Sequence, residues 1–187
     1  MPKTGKFFST KRIASMALLI ALQIILARFV GFQISEGLRI SVEVVPVILA
    51  GIWLGPLAGL IVGFLADILG TIISGYGVYF LPLAITPILN GVLPGLAFRY
   101  LWKRDMNVWK CVVTIVVTEI ISSLFIGTYA LTWYYHLFVP NKEATFALLF
   151  ATRIVPKLVT MAADSVIVAA LHTAMYKRVI YPMVEGR

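Results

Sequence analysis

The sequence has few charged residues and almost none of the residues that bind metals or form disulfides. Of its 187 residues, only 13% are charged, two are histidines and one, Cys111, is a cysteine. A single cysteine excludes a disulfide within the sequence and a thiolate metal site. We find no nucleotide-binding glycine loop, no clustered metal ligands and no nucleophile with a paired base. The sequence therefore predicts no enzyme and no cofactor.

Hydrophobic residues make up 60% of the sequence, and the mean hydropathy is +0.96. Soluble domains rarely have this balance. Apolar runs of about 20 residues recur along the chain, and each is long enough to cross a bilayer as a helix. We predict an all-α membrane protein, a compact bundle of six transmembrane helices that forms one integral membrane domain over residues 1–187.

The six predicted helices are separated by short loops rich in glycine, proline or charge. The second is short for a membrane span, and Pro46 is expected to break it. The predicted helices cover residues 12–30, 42–54, 56–74, 78–102, 108–138 and 144–178.

Basic residues are distributed unequally between the two sets of loops. With the N-terminus inside, the outer loops hold only Arg39 and Lys142, and the other loop and tail cations fall on the cytoplasmic side. This asymmetry predicts an N-in, C-in orientation. It also accounts for the net charge of +8 without nucleic acid as a partner. Three cations remain at membrane depth: Arg28, Arg153 and Lys157.

The third predicted helix carries one carboxylate, Asp67, at its middle. A charged group at this depth is costly, so it usually faces a partner or a cavity. Gly59, Gly63 and Gly70 fall near one face, and small residues let a neighbouring helix approach closely. We interpret this helix as one wall of a binding site.

The last predicted helix places Arg153, Lys157 and Asp164 within about 60° of one another. Two cations on one face suit an anionic substrate. The alternative is internal pairing, either of Lys157 with Asp164 or of a cation with Asp67 or Glu119.

Three other side chains have both a binding and a structural interpretation. Asp67 can accept a pair of hydrogen bonds from a heterocyclic amine, or it can form a buried salt bridge with Arg153 or Lys157. Asn90 offers both a donor and an acceptor, either to a ligand or to a neighbouring helix. Tyr79 belongs to an aromatic group that forms an interfacial belt or caps a flat ligand.

The first predicted helix has small residues on one face: Ala14, Ala17 and Ala21. This pattern allows close helix packing, either within the bundle or against an external partner. Arg28 lies near the same azimuth, so it reaches a central pocket only if the helix bends or tilts.

The stretch RFVGFQISEGLRISVEVVPVILAGIWLGPLAGLIVGFLADILGTI, from Arg28 to Ile72, resembles the folate-type substrate-binding (S) components of energy-coupling factor transporters. The LRIS and GP turns and the ADILG segment carry the likeness. The six-helix plan and the alanine pattern extend it over nearly the whole chain.

The resemblance implies a high-affinity vitamin-capture subunit in the cell membrane of a prokaryote. Its implied partners are one transmembrane coupling subunit and two cytoplasmic ATPases, with Ala14, Ala17 and Ala21 docking on the coupling subunit. The resemblance also implies that the loops 31–41 and 75–79 act as gates. Lys157, which follows Pro156, is similar to a ligand-binding lysine of riboflavin-type relatives.

Folate fits what the residues themselves indicate. Its pterin ring needs paired hydrogen-bond donors and acceptors, which Asp67 and Asn90 can provide together. Its carboxylates need cations, and the cations at membrane depth are Arg28, Arg153 and Lys157. The alternatives are an S component for pantothenate or riboflavin, an autonomous secondary carrier, a membrane enzyme and a purely structural membrane partner.

Overall fold

The computed structural model of the chain describes residues 9–29, 32–35, 38–40, 42–74, 79–105, 107–139 and 145–176. Over these ranges the chain forms six helical segments, as the sequence predicts. Five of them are long and apolar enough to cross a membrane. The helices are α1 (Thr10–Phe29), α2 (Val45–Leu54), α3 (Pro56–Ser74), α4 (Leu81–Leu101), α5 (Val108–Phe138) and α6 (Phe146–Met175).

Helix α2 differs from its prediction in length and in the role of its proline. It begins at Val45, so Pro46 lies in the first turn, where its missing N–H has no intrahelical partner to lose. The proline therefore starts the helix and does not break it. With 10 residues the helix is about 15 Å long, about half the thickness of a hydrocarbon core. Its side chains are almost all buried, so the rest of the protein surrounds it.

Glycines hold α2, α3 and α4 together at backbone distance. A Cβ atom at Gly59 would collide with the backbone of Gly91, and one at Gly63 would collide with the backbone of Pro87. A Cβ atom at Gly70 would meet no described atom within 4 Å. The glycine face predicted on α3 therefore packs closely against α4 along the first half of α3. Gly55, at φ 104°, makes the turn between α2 and α3 in a conformation that glycine adopts readily.

Two short strands pair between α1 and α2, where the sequence predicts a loop. β1 (Phe32–Ser35) and β2 (Leu38–Ile40) are antiparallel, with Gln33 opposite Arg39. The rest of this predicted gate lies outside the described residues. Of the second predicted gate, residues 75–79, only Tyr79 is described.

Two of the long helices contain π-helical turns. In α4 the π-helical turn is the last one, Ala97–Leu101. In α5 a longer segment, Ile120–Ile126, interrupts the middle of the helix. Such segments are rare and frequently lie at functional sites.

Two ends of the bundle can be distinguished. At one end, Arg12 of α1 approaches Arg99 and Arg104 near the end of α4, and Phe98 packs against His172 near the end of α6. We call this the terminal end, because α1 begins there and α6 finishes there. At the other end, Phe80 packs edge-on against Trp133, Tyr134 and Phe138 of α5.

Candidate functional site

A polar pocket of about 320 Å³ lies between the helices, within the range of small-molecule sites. Its walls come from all six helices and from the segment just before α2. Both cations that the sequence places on α6 reach it, as do Asp67 and Asn90. The lining residues are Gln23, Glu43, Val44, Val47, Asp67, Leu83, Thr86, Pro87, Asn90, Ser123, Gly127, Arg153 and Lys157.

Arg153 and Lys157 supply the positive charge of the pocket. Arg153 Nη1 is buried without a hydrogen-bond partner in the described part of the chain. The only salt bridge found among the described residues joins Lys110 and Asp105, outside the pocket. Both cations therefore reach the pocket without an ion pair to a described residue. A buried guanidinium with an open donor is suited to an anionic group of a ligand.

Lys157 has two acidic neighbours deeper in the bundle. Its charge acts on the carboxyl groups of Glu119 and Asp164, although neither comes within salt-bridge distance. The internal pairing that the sequence left open is thus present as a longer-range attraction and not as a contact. Lys157 can therefore turn toward the pocket without breaking a direct ion pair.

Asp67 of α3 lines the pocket as predicted, and its neighbour is Tyr79. The Tyr79 hydroxyl is buried beside the Asp67 carboxylate, without a hydrogen bond of standard geometry. Burial, and then the negative charge of Asp67, raise the pKa of Tyr79 to about 12. Tyr79 therefore keeps its proton at physiological pH and can donate toward Asp67. Tyr79 does not itself line the pocket, and no described cation makes a salt bridge with Asp67.

Asn90 of α4 makes hydrogen bonds to a neighbouring helix and also lines the pocket. Its amide nitrogen donates to Ser123 Oγ at 3.4 Å, and its carbonyl oxygen accepts from Ser122 Oγ. Both serines belong to the π-helical segment of α5. Thr86 also donates to the backbone carbonyl of Ser122 at 3.4 Å. The interhelical interpretation is correct, and the same network presents Asn90, Ser123 and Thr86 to the pocket.

Sequence reasoning did not select several polar residues that line the pocket. Gln23 of α1 has a buried Oε1 atom without a partner in the described chain. Its position as an isolated glutamine within an otherwise apolar stretch of α1 could have indicated that it faces a polar pocket. Glu43 lines the pocket beside α2, and its charge acts on Asp67. Ser123 and Thr86 carried no signal, because only the packing of α4 on α5 brings them together.

The structure places Arg28 outside this pocket. It lies in the last turn of α1 on the exposed surface, on the same side as Ala14, Ala17 and Ala21, which are also exposed. Gln23, on the opposite side of α1, faces the pocket instead. The alanine face is thus an outward surface of the described chain and not a packing contact within it.

Comparison with known families supplies the deciding observation. Residues 11–172 match the family described as "ECF transporter, substrate-specific component". This chain belongs to that family. The match covers most of the chain and all six helices, except for the first residue of α1 and the last residues of α6. An S component of this kind is a substrate-binding subunit of a transporter, so the prediction that the chain is not an enzyme is confirmed.

Relatives of this S component include two proteins named folate transporter FolT. The FolT of Clostridium novyi (strain NT) is 26% identical over 153 residues, which are 82% of this chain and 83% of the relative. The FolT of Leuconostoc mesenteroides is 24% identical over 152 residues, which are 80% of this chain and 78% of the relative.

Two solved structures share the fold. The crystal structure of FolT bound with folic acid superimposes with a TM-score of 0.72 at 23% identity, over 89% of this chain and 95% of the other. The S component of a bacterial ECF transporter superimposes with a TM-score of 0.59 at 18% identity, over 89% and 96%. At these identities the likeness shows a common fold.

Proposed function

We propose that this S component binds folate and delivers it to an ATP-driven partner complex for uptake. The observation that carries the proposal is the arrangement of charges in the pocket. Arg153 and Lys157 lie on α6, and Asp67 lies on α3. Folate carries complementary groups, with carboxylates at one end and a heterocyclic amine at the other. The FolT relatives and the folic-acid-bound structure support the same ligand.

Each part of folate has a proposed partner in the pocket. The glutamate carboxylates accept charge-assisted hydrogen bonds from Arg153 and Lys157. The pterin amine and ring nitrogens pair with Asp67, and Asn90 or Ser123 provides a further polar contact. Val44, Val47 and Leu83 form apolar walls for the flat rings. Gln23, whose buried Oε1 atom has no partner among the described residues, accepts a hydrogen bond from one N–H group of the ligand.

We further propose the N-in, C-in orientation in a prokaryotic cell membrane. The terminal end holds Arg12, Arg99 and Arg104, which approach one another. The opposite end carries the aromatic group around Phe80. Basic residues favour the cytoplasmic side, and aromatic residues favour the interfaces. In this orientation the pocket lies in the half of the bundle that faces outside.

The exposed alanine face of α1 is the proposed contact with the coupling subunit. Ala14, Ala17 and Ala21 present little side-chain volume, so a partner helix can approach the backbone of α1. The complete transporter would include one transmembrane coupling subunit and two cytoplasmic ATPases. This part of the proposal rests on the family and on the outward position of the three alanines.

Uptake of labelled folate tests the proposal against an autonomous carrier. The chain should support uptake in proteoliposomes only when the coupling subunit, the ATPases and ATP are present. Uptake by the chain alone would overturn the assignment as a dependent S component. Competition identifies the substrate, because unlabelled folate should block uptake and pantothenate or riboflavin should not.

A further inference from the structure

The buried carboxyl groups of Glu119 and Asp164 lie below the pocket and are not part of its lining. Glu119 is the last residue of α5 before the π-helical segment, one turn from Ser123 in the pocket wall. Asp164 lies two turns along α6 from Lys157. The side chains of the two acidic residues are almost completely inaccessible, at 1% and 0% exposure. Their carboxyl groups interact with each other across the interface of α5 and α6.

The four carboxyl oxygens of this pair have no hydrogen-bond partner of standard geometry in the described chain. A buried ionised carboxylate without a partner is strongly unfavourable. Two carboxylates that face each other in a dry interior add their mutual repulsion, and such pairs hold one proton between them. The arrangement therefore requires a positive species at the pair.

Charged and titratable groups around the pair come from three directions. Lys157 acts on both carboxyl groups from the pocket side, and Glu43 acts on Asp164. His172 lies two turns from Asp164 toward the terminal end, with its ring stacked on Tyr176. Lys157 is thus the only cation found to act on the pair in the described chain.

A proton fits this site better than a metal ion does. No group of three or more His, Cys, Asp or Glu side chains suitable for a metal is found in the described parts of the chain. Hard cations normally take six or more oxygen ligands. A single proton between two carboxyl groups needs only the two acceptors that are present.

We propose that Glu119 and Asp164 form a proton-binding site beneath the pocket, and that its proton leaves Lys157 available to an anionic ligand. Without the proton, two buried negative charges would draw Lys157 away from the pocket. With it, the pair has one negative charge fewer, and a ligand carboxylate competes successfully for Lys157. The two acidic residues are positioning residues, because they act on the ligand through Lys157.

The proposal predicts the direction of a pH effect. An anion bound to Lys157 reduces the positive charge that the pair feels, so the pair holds its proton more firmly. Ligand binding therefore takes up protons, and affinity falls as pH rises. The slope is at most about tenfold per pH unit, the limit for one linked proton.

Infrared spectroscopy of the purified chain without ligand tests the proton site directly. At neutral pH the wild type should show the carbonyl stretch of a protonated carboxylic acid. The near-isosteric variants Glu119→Gln and Asp164→Asn should each remove this band, and the control Asp105→Asn, at an exposed salt bridge, should retain it. A wild type without the band contradicts the proposal whatever the variants do. A wild type that has no band and needs sodium for thermal stability indicates a bound cation instead.

Folate affinity as a function of pH tests the coupling to Lys157, and this arm rests on the proposed function. Wild-type affinity should decline from neutral to alkaline pH, and the decline should be absent in Glu119→Gln combined with Asp164→Asn. Equal slopes in the two proteins would contradict the coupling. If folate bound at no pH, the proposed ligand would be wrong, and the infrared result would still decide whether the proton site exists.

Discussion

Arg153 and Lys157 lie one helical turn apart on α6, and both side chains line the same pocket. Pro156 lies between them inside the helix. Because proline removes one backbone hydrogen bond, it allows a local bend where the two cations enter the pocket. Neither cation makes a salt bridge within the described chain. This pair is the main determinant that we propose for an anionic ligand.

Removing either cation should weaken folate binding. We expect Arg153→Ala and Lys157→Ala each to cost about 1.5–3 kcal/mol, the usual range for a hydrogen bond to a charged group. This corresponds to roughly 10- to 150-fold in the dissociation constant, measurable by titration calorimetry. Lys110→Ala, at the exposed salt bridge with Asp105, is the matched control and should bind like the wild type. Unchanged affinity in both pocket variants would refute the cation assignment.

The carboxylate of Asp67 should matter more than the hydroxyl of Tyr79. Asp67→Asn removes the negative charge of the group that accepts hydrogen bonds from the pterin amine, and the expected loss of binding free energy is about 1.5–3 kcal/mol. Tyr79→Phe removes one neutral donor beside Asp67, with an expected loss of about 0.5–1.5 kcal/mol. Because the pKa of Tyr79 is raised to about 12, its contribution should be constant through neutral and mildly alkaline pH. A larger loss in Tyr79→Phe would place the hydroxyl in direct contact with folate.

Bulky residues on the alanine face should separate binding from transport. Ala17→Leu combined with Ala21→Leu should leave folate affinity unchanged, because both positions point away from the pocket. Uptake through the complete complex should be lost, because the partner helix can no longer approach α1. Val155→Leu combined with Val166→Leu, at exposed positions on α6, controls for added bulk on the surface. Uptake that survives the alanine substitutions would argue against docking on this face.

The glycine contact between α3 and α4 should be sensitive to a single methyl group. Gly59→Ala puts a Cβ atom into the backbone of Gly91, and overpacking of this kind typically costs about 1–3 kcal/mol. Thermal unfolding of the purified chain in detergent should show the loss. Gly70→Ala on the same helix is the control, because its Cβ atom meets no described atom within 4 Å. Equal stability of the two variants would mean that α3 and α4 shift apart at little cost.

The helices and part of the site could be predicted because their signals are local. The apolar runs and the glycine and proline positions located all six helices to within a few residues. Asp67, Arg153 and Lys157 could be selected because a charge within an apolar run is expensive unless it has a role. Helical periodicity placed the three alanines and Arg28 on one side of α1.

The rest of the site depends on how helices pack, which one sequence does not specify. The partners of Asn90 are Ser122 and Ser123, and the π-helical segment that presents them has no evident sequence signal. Arg28 is an interior charge by sequence position, but it lies in the last turn of α1 on the exposed side. The residue of α1 that lines the pocket is the neutral Gln23, because it lies on the opposite side of the helix from Arg28. Pro46 lies in the first turn of α2 and does not break the helix, a difference that arises because a helix break and a helix start look alike in sequence.

The most direct test of the proposed function is equilibrium binding of folate to the purified chain, with riboflavin and pantothenate as competitors. We predict tight binding of about one folate per chain that neither competitor displaces. No folate binding by a correctly folded protein would contradict the proposed ligand. Displacement by riboflavin or pantothenate would identify this chain as an S component for that vitamin.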